Sequence, residues 1–265
     1  MTKKPNKAFS LVELSIVILI IGVLIAAAGQ GIDLLQDARL SAARMLTQSS
    51  CVASIKGLSL WLETTSENSF SVAEAADGAT ISSWNDINPQ ANLKNNFTAT
   101  GAAKPIYKTN IMNNLPAVLF DGSTDYMDST YNFARDAGVT AFVVVKPVAV
   151  TTLAHYIISS MPTSFGPGYF KVNLSNTLNI YYTAYNAGLI TTSLPPLANQ
   201  NYLIEAVDTG AKATIYVNKT KYTSSSVTTT NNYGISNPIE IGACLLDPWI
   251  VLGAEMVTLM ATCLS

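Results

Sequence analysis

The sequence has little charge, little cysteine and a single histidine. Asp, Glu, Lys and Arg make up 12% of the 265 residues, and the formal net charge is -2. The chain therefore lacks the basic field that holds a nucleic-acid backbone, which excludes nucleic acid as a partner. Cys51, Cys244 and Cys263 show no ligand-like spacing with the lone His155, which argues against a structural zinc site.

The cysteines leave two arrangements open. In an oxidising compartment Cys244 and Cys263, the closest pair in sequence, would form a disulfide and leave Cys51 as the odd thiol. Alternatively, all of them stay reduced and buried, because free cysteine behaves as a small hydrophobic residue. The sequence alone does not separate these arrangements.

One long apolar run dominates the N-terminal part of the chain. Residues 9–28 have the sequence FSLVELSIVILIIGVLIAAA, and about twenty helical residues span a hydrocarbon core of about 30 Å. Lys3, Lys4 and Lys7 lie on the N-terminal side of this run. The positive-inside rule then places the N-terminus in the cytoplasm and the C-terminal bulk outside. The sequence predicts a single-pass membrane helix.

The helical pattern continues beyond the apolar run, unlike that of a secretory signal peptide. After Pro5 no proline occurs before Pro89. The residues that keep three- and four-residue spacing are Ile32, Leu35, Ala38, Ala42, Met45, Gln48 and Val52. This spacing is typical of a helix. We predict one helix over residues 9–56 that serves as membrane anchor and stalk.

Glu13 is a carboxylate within the apolar run. An ionised side chain costs about 2.5–3.5 kcal/mol near the membrane centre and less near the interface, so Glu13 needs a partner. Residues 7–13, Lys-Ala-Phe-Ser-Leu-Val-Glu, follow a basic leader, and they resemble the processing signal of type IV prepilins and pseudopilins. The resemblance implies that residues 1–8 form the leader. Prepilin peptidase would cut between Ala8 and Phe9 and methylate the new amine.

The same resemblance implies that Glu13 acts in assembly. Its carboxylate would neutralise the Phe9 amine of another subunit inside a bundle of helices. The chain departs from the family pattern at Ala8, since the family usually has glycine before the cut. Alanine is also small, so we expect cleavage. An uncleaved membrane anchor is the alternative.

After Gly57 the chain changes to short β-branched and aromatic runs separated by turn residues. The runs are residues 58–62, 80–84, 116–120, 139–147, 154–160, 201–207, 213–218 and 238–243. Many strands without interleaved helices predict an antiparallel β sandwich over residues 57–265. The expected fold class is therefore α+β, a long membrane helix followed by this sandwich. Alternation predicts a core that includes Trp61, Phe120, Phe142, Val144 and Tyr216.

Five segments of the head resemble the laminin G-like, concanavalin A-like jelly roll of bacterial surface proteins. They are Leu-Trp-Leu at 60–62, Ser-Trp-Asn-Asp at 83–86, Ala-Val-Leu-Phe-Asp-Gly at 117–122, Ala-Phe-Val-Val-Val-Lys-Pro at 141–147 and Ile-Tyr-Val-Asn at 215–218. The resemblance implies a jelly-roll head. It weakens over residues 244–265, where a closing strand of altered sequence and a disturbed C-terminus are both open.

Two groups of head residues are candidates for ligand binding. Asp121, Asp125 and Asp128 offer oxygen ligands for calcium, which related laminin G modules bind at their loop rim. A tight Asp-Gly turn with solvated carboxylates is the other interpretation. Aromatic side chains would stack on sugars where they are exposed. These are Trp84, Tyr107, Tyr169, Tyr181, Tyr182 and Tyr185.

The sequence contains no recognisable catalytic constellation. Concanavalin-like glycosidases need facing carboxylates, commonly written Glu-x-Asp-x-x-Glu, and neither this run nor Gly-x-Ser-x-Gly occurs. We therefore interpret His155 as structural and expect no enzyme activity and no cofactor apart from calcium.

The predicted function is that of a minor pilin or pilin-like subunit. It would reside in the bacterial inner membrane, be processed by prepilin peptidase, assemble with other pilins and display its head on a pilus. The head would bind carbohydrate or a surface protein. A pseudopilin of a type II secretion system is the alternative, and an anchored hydrolase is a weaker third hypothesis.

Overall fold

The computed structural model of the protein describes most of the helix and a large part of the head. The described residues are 10–131, 138–149, 155–160, 169–174, 179–180, 182–183, 190–192, 197–208, 213–223, 238–242, 252–254 and 258–263.

One long helix, α1 (Leu11–Ser49), precedes the head. Its 39 residues correspond to about 58 Å at helical rise. Ser10 is the N-cap, and Ser10 and Glu13 form a reciprocal capping box. Ser50 has an extended backbone and leads into a short 3-10 helix over Cys51–Ser54. The predicted anchor and stalk helix is present, but its α-helical part ends before residue 56.

The strands of the described residues are short and numerous. In chain order they are β1 (Leu58–Leu62), β2 (Ser83–Trp84), β3 (Phe97–Thr98), β4 (Ile106–Met112), β5 (Leu115–Phe120), β6 (Met127–Ser129), β7 (Gly138–Pro147), β8 (His155–Ser160), β9 (Tyr169–Leu174), β10 (Asn179–Ile180), β11 (Tyr182–Thr183), β12 (Ile190–Thr191), β13 (Tyr202–Asp208), β14 (Ala213–Val217), β15 (Thr220–Thr223), β16 (Ile239–Ile241), β17 (Leu252–Ala254) and β18 (Thr258–Cys263).

The strands form two antiparallel sheets. The first sheet has the order β15-β14-β13-β7-β17-β5-β4, and β18 also pairs with β7 and carries β1 on its other side. The second sheet has the order β11-β9-β8-β16-β6-β3-β2. The strands β10 and β12 pair with each other. A long helix followed by an antiparallel β sandwich is the predicted fold class, which is confirmed.

The C-terminal strands lie inside the first sheet. β17 pairs with β5 on one side and with β7 on the other. β18 pairs with β1 on one side and with β7 on the other. Of the two possibilities for the C-terminal tail, the described part therefore forms closing strands of the sandwich.

The hydrophobic core lies between the two sheets. Its largest fully buried side chains include Trp84, Phe97 and Phe120. Apolar residues at alternating positions point inward, as Val143 and Val145 do on β7. Because both sheets contribute such positions, the core extends across the whole sandwich rather than forming a satellite cluster under one loop.

The predicted core is right for Phe120 and wrong for Phe142, Val144 and Tyr216. The inward positions of β7 are Val139, Ala141, Val143 and Val145, and those of β14 are Ile215 and Val217. The three mispredicted residues lie on the outer face and are half-buried. Trp61 is buried, but it lies on the same outer face. In the register of the sheet Trp61 is opposite Leu259, and Leu259 is opposite Phe142, and directly opposite residues project to the same face.

The turn between β4 and β5 consists of two asparagines with left-handed backbone conformations. Asn113 and Asn114 have φ values of 50° and 64°, and Met112 pairs with Leu115 around them. Two positive φ values in a two-residue loop are typical of a type I′ hairpin. This turn joins β4 to β5.

Candidate functional site

The first candidate site is the exposed apolar surface of α1. Between Leu11, which is 85% exposed, and Ile25, which is 69% exposed, the large apolar side chains are open to solvent. Within the described residues α1 and its short extension to Ser54 are long and apolar enough to cross a membrane by length and composition. Apolar surface of this extent needs lipid or other helices around it.

Glu13 lies in the first turn of α1 rather than in the middle of the apolar span. Its Oε2 accepts a hydrogen bond of 2.8 Å from the Ser10 backbone N–H, and the Ser10 hydroxyl accepts one of 3.2 Å from the Glu13 N–H. The positive end of the helix dipole also favours a carboxylate here. A carboxylate has about four acceptor positions, so this bond leaves room for an ammonium group. Ala8 and Phe9 lie outside the described residues.

Arg44 connects the stalk to the head. Its Nε donates a 2.8 Å hydrogen bond to the carbonyl oxygen of Thr65, and its Nη1 lies 2.7 Å from Glu67 Oε1. The ion pair is exposed on its Glu67 side, so it contributes roughly 0–1 kcal/mol to stability.

A cavity of about 190 Å³ lies beside Arg44, between the stalk and the head. It is lined by Gln36, Asp37, Leu40, Arg44, Ala75, Tyr107, Thr109, Asn114 and Pro116.

The expected calcium ligands Asp121 and Asp125 hold the turn after β5. Asp121 Oδ1 accepts hydrogen bonds from the backbone N–H groups of Ser123, Thr124 and Asp125, and Asp125 Oδ2 accepts one from the Asp121 N–H. Burial alone would raise the pKa of Asp121, but these hydrogen bonds outweigh the effect of burial and lower the pKa. Burial, together with the charge of Asp121, raises the pKa of Asp125 to about 6. These two carboxylates already have structural partners.

Asp128 lies apart from that turn, on β6. It is directly opposite Glu240 of β16 and, on its other side, opposite Thr98 of β3. In the part of the chain that the structure describes, no group of three or more His, Cys, Asp or Glu side chains is placed to hold a metal ion. The three aspartates named from the sequence therefore do not form one ligand set.

Two of the aromatic residues expected to stack on sugars belong to the core. Trp84 is fully buried and Tyr107 is 5% exposed, and the ring of Phe70 lies 5.6 Å and 5.2 Å from theirs. Trp84 Nε1 donates to the carbonyl oxygen of Glu63, and the Tyr107 hydroxyl donates to that of Thr64. These two rings do not meet the condition of exposure, and their polar atoms are satisfied by backbone carbonyl groups inside the sandwich.

The remaining expectations fall mostly outside the described residues. Tyr181, Tyr185 and Cys244 lie outside them, as do the side chains of His155, Tyr169, Tyr182 and Cys263. Cys51 is an exposed free thiol at the end of the stalk. The Cys244–Cys263 disulfide therefore stays a prediction.

Sequence reasoning missed Ser10, Arg44 and Glu240. Ser10 was detectable, because Ser-x-x-Glu before an apolar run is the signature of a capping box. Arg44 follows no motif that points to Thr65 or Glu67. Glu240 lies far from Asp128 in sequence, and only the strand pairing of β6 with β16 brings the two together.

Comparison with known proteins identifies the N-terminal segment. The prokaryotic N-terminal methylation motif matches residues 3–29, a range that contains Ala8, Phe9 and Glu13. No curated protein sequence matches the chain.

Solved structures of similar fold cover the head. The binding domain of botulinum neurotoxin serotype D has a TM-score of 0.54 and 12% identity, over 82% of this chain and 50% of that chain. The binding domain of botulinum neurotoxin DC, in complex with SialylT, has a TM-score of 0.54 and 12% identity, over 79% of this chain and 48% of that one. A Trypanosoma rangeli sialidase has a TM-score of 0.48 and 13% identity, over 77% of this chain and 31% of that one.

This chain spans about half the length of the neurotoxin domains that it matches. At such low identity the similarity shows the fold alone, and that fold is a β sandwich. The chain thus carries a prepilin-type N-terminal methylation segment at residues 3–29, which overlaps the first half of the exposed apolar helix α1, ahead of an antiparallel β-sandwich head.

Proposed function

We propose that this chain is a minor type IV pilin or pilin-like subunit that displays a β-sandwich binding module. The observation that carries the proposal is the coincidence of the methylation motif at residues 3–29 with an exposed apolar helix whose first turn contains Glu13. An exposed helix of this kind is stable in a membrane and, after extraction, in a bundle with helices of other subunits.

Processing would occur at the cytoplasmic face of the inner membrane. Lys3, Lys4 and Lys7 keep residues 1–8 in the cytoplasm, where prepilin peptidase would cut between Ala8 and Phe9 and methylate the Phe9 amine. Ser10 remains after the cut, so the helix keeps its capping residue. The head then lies outside the membrane and becomes exposed on the filament.

The head would serve as a binding module rather than an enzyme. Its fold is shared with the binding domains of two botulinum neurotoxins, one of them in complex with SialylT. Loops on a rigid sandwich are suited to binding carbohydrate or a surface protein. Glycan arrays and hydrolysis assays on the purified protein separate binding from turnover.

Mass spectrometry of the native N-terminus tests the processing step. In cells with an active prepilin peptidase we expect an N-terminal peptide that begins at Phe9 and carries one methyl group. An intact Met1–Ala8 leader in those cells would overturn the proposal. Cells that lack the peptidase are the control, and in them the leader should remain.

Substitutions of Glu13 test its role in assembly. We expect Glu13→Gln and Glu13→Ala to insert into the membrane normally but to reduce assembly into filaments at least about tenfold, since both leave the neighbour's Phe9 amine without a counter-charge. Incorporation is measured by immunoblotting of sheared filaments against total membrane protein.

The capping box supplies a matched control for this experiment. Glutamine keeps the capping box and removes the charge, whereas Ser10→Ala removes the capping hydroxyl and keeps the charge. Charge pairing predicts that Ser10→Ala assembles nearly normally while Glu13→Gln does not. The opposite result would mean that Glu13 serves only to cap the helix.

A pseudopilin of a type II secretion system has the same type of N-terminal segment. The two roles differ in where the head lies. A pilus subunit is labelled by antibodies on intact cells, whereas a pseudopilin is labelled only after the outer membrane is permeabilised.

A further inference from the structure

The stalk and the head meet along one narrow face of α1. Within residues 36–49 the half-buried positions are Gln36, Leu40, Ala43, Arg44 and Thr47, and the other positions are exposed. The half-buried positions have the three- and four-residue spacing of a single helix face. No residue within this range is fully buried. We call residues 36–49 the docked segment.

Apolar burial holds the docked segment only weakly. Leu40 is the one large apolar residue among its half-buried positions, whereas Met45 and Leu46 are exposed. A helix that packs firmly on a hydrophobic core normally presents a wide apolar stripe to it. The docked segment instead presents mostly polar or small side chains to the head.

Arg44 supplies the hydrogen bonds that join the docked segment to the head among the described residues. Its Nε donates to the carbonyl oxygen of Thr65 at 2.8 Å, and its Nη1 donates to Glu67 Oε1 at 2.7 Å. A planar guanidinium reaches two such acceptors in a fixed geometry. Arg44 is therefore the principal polar attachment of the stalk.

Cavities lie on both sides of Arg44. The cavity of about 190 Å³ extends from Arg44 toward Gln36. A second cavity of about 170 Å³ extends from Arg44 in the other direction, and it is lined by Arg44, Thr47, Gln48, Ser66, Glu67 and Asn68. Since a water molecule takes up about 30 Å³ of liquid, each cavity accommodates about six waters. The contact is therefore loosely packed on either side of the residue that carries its hydrogen bonds.

The chain between α1 and β1 is attached to the head independently of Arg44. The side chain of Gln90 donates hydrogen bonds of 2.7 Å and 2.9 Å to the carbonyl oxygens of Ala53 and Ile55. Ser50, which follows α1, has an extended backbone. Because the α-helix is interrupted there, the docked segment can turn about Ser50 while the following residues stay on the head.

We propose that the joint between stalk and head is a hinge at Ser50 that Arg44 holds closed. While the two Arg44 bonds are made, the docked segment lies against the head. When they break, only the shallow contact around Leu40 remains, and the stalk swings away as an intact helix. The hinge then sets the range of angles at which the head is presented. It does so equally in an uncleaved membrane anchor, a pilin or a pseudopilin, so the proposal goes beyond the function proposed above.

Hydrogen–deuterium exchange of the full-length protein in a non-ionic detergent tests this hinge. Arg44→Ala should speed amide exchange in the docked segment at least about tenfold, since it removes a hydrogen bond to a charged donor together with the ion pair. Glu67→Gln weakens only the exposed ion pair, so it should speed the same exchange about threefold or less.

Arg39→Ala is the matched control. Arg39 lies on the same helix, is exposed and takes part in neither ion pair of the described residues. The substitution therefore has the same effect on helix propensity without touching the joint, and it should leave the exchange at the wild-type rate. Peptides from β7 and β13 are the internal control, because they should exchange alike in all variants while the head stays folded.

Distance measurements show the movement itself. Spin-labelled non-natural residues at Ser41 on the stalk and Leu93 on the head, both exposed, report their separation by double electron–electron resonance. Arg44→Ala should broaden the distance distribution at least about twofold, whereas Arg39→Ala should not change it. If either the exchange of the docked segment or the distance distribution is unchanged in Arg44→Ala, the proposal is wrong. Faster exchange in β7 and β13 as well would also overturn it, because Arg44 would then stabilise the fold of the head rather than hold a hinge.

Discussion

Deleting residues 252–265 is expected to abolish cooperative folding of the head. The deletion removes β17 and β18, which lie inside the first sheet, so β7 loses its partners on one side. Within the described residues β1 is held in the sheet through β18. The deletion therefore also frees the β1 residues Leu60 and Leu62, both fully buried in the core.

The magnitude of this loss is comparable to the stability of an ordinary domain. Removing one large buried aliphatic side chain costs about 2–5 kcal/mol, and a domain of this kind is stable by about 5–15 kcal/mol. Releasing two such side chains together with their backbone pairing removes most or all of that stability. The measurement is far-ultraviolet circular dichroism with thermal melting of the full-length and truncated proteins in detergent.

A shorter truncation provides the control. Removing only Leu264 and Ser265 takes away no described strand, so this variant should retain the β signal and the wild-type melting temperature. If the chain that ends at residue 251 melts cooperatively near the wild-type temperature, β17 and β18 are not interior strands of the sheet.

The N-terminal half of the architecture could be predicted from the sequence because its signals are local. The apolar run, the basic flank and the Ser-x-x-Glu box at Ser10 and Glu13 each lie within one short segment. The helix therefore forms where the pattern predicts it. Its α-helical end at Ser49 has no comparable signal, because Ser50 and Cys51 do not break a helix as glycine or proline would.

The faces of the strands could not be predicted with the same certainty. In β7 the residues from Val139 to Val145 are almost all apolar or small, so alternation does not indicate which set points inward. Pairing with β13 and β18 decides it, and that pairing places Phe142 outside and Val143 inside. A one-residue change of register exchanges the two faces, which explains the misassigned core.

Contacts between distant segments were beyond sequence reasoning. Asp128 was recognised as a candidate ligand, but its partner Glu240 is contributed by a strand more than a hundred positions later along the chain. Similarly, nothing in the Ser-Trp-Asn-Asp segment indicates that Asp86 accepts hydrogen bonds from the backbone N–H groups of Trp61, Asn88 and Asn95. Such contacts depend on the fold as a whole.

Gly242→Ala is expected to destabilise the head strongly. Gly242 follows β16 with a φ of 77°, and a Cβ built on it would lie 2.1 Å from Phe120 Cδ1 and 2.5 Å from Cε1. Phe120 is fully buried, so its ring cannot yield without opening the core. The left-handed backbone costs about 1–2 kcal/mol and the overpacking about 1–3 kcal/mol, so a total of about 2–5 kcal/mol is expected.

Gly101→Ala isolates the backbone part of this effect. Gly101 has a φ of 58°, and no atom lies within 4 Å of a Cβ built on it, so only the conformational cost of about 1–2 kcal/mol applies. Chemical denaturation of both variants measures the difference in unfolding free energy. Phe120→Leu in combination with Gly242→Ala should cost less than the sum of the two single changes, since the smaller side chain relieves the clash. Equal costs at Gly242 and Gly101, with additive costs in the double variant, would contradict the close packing of Gly242 on Phe120.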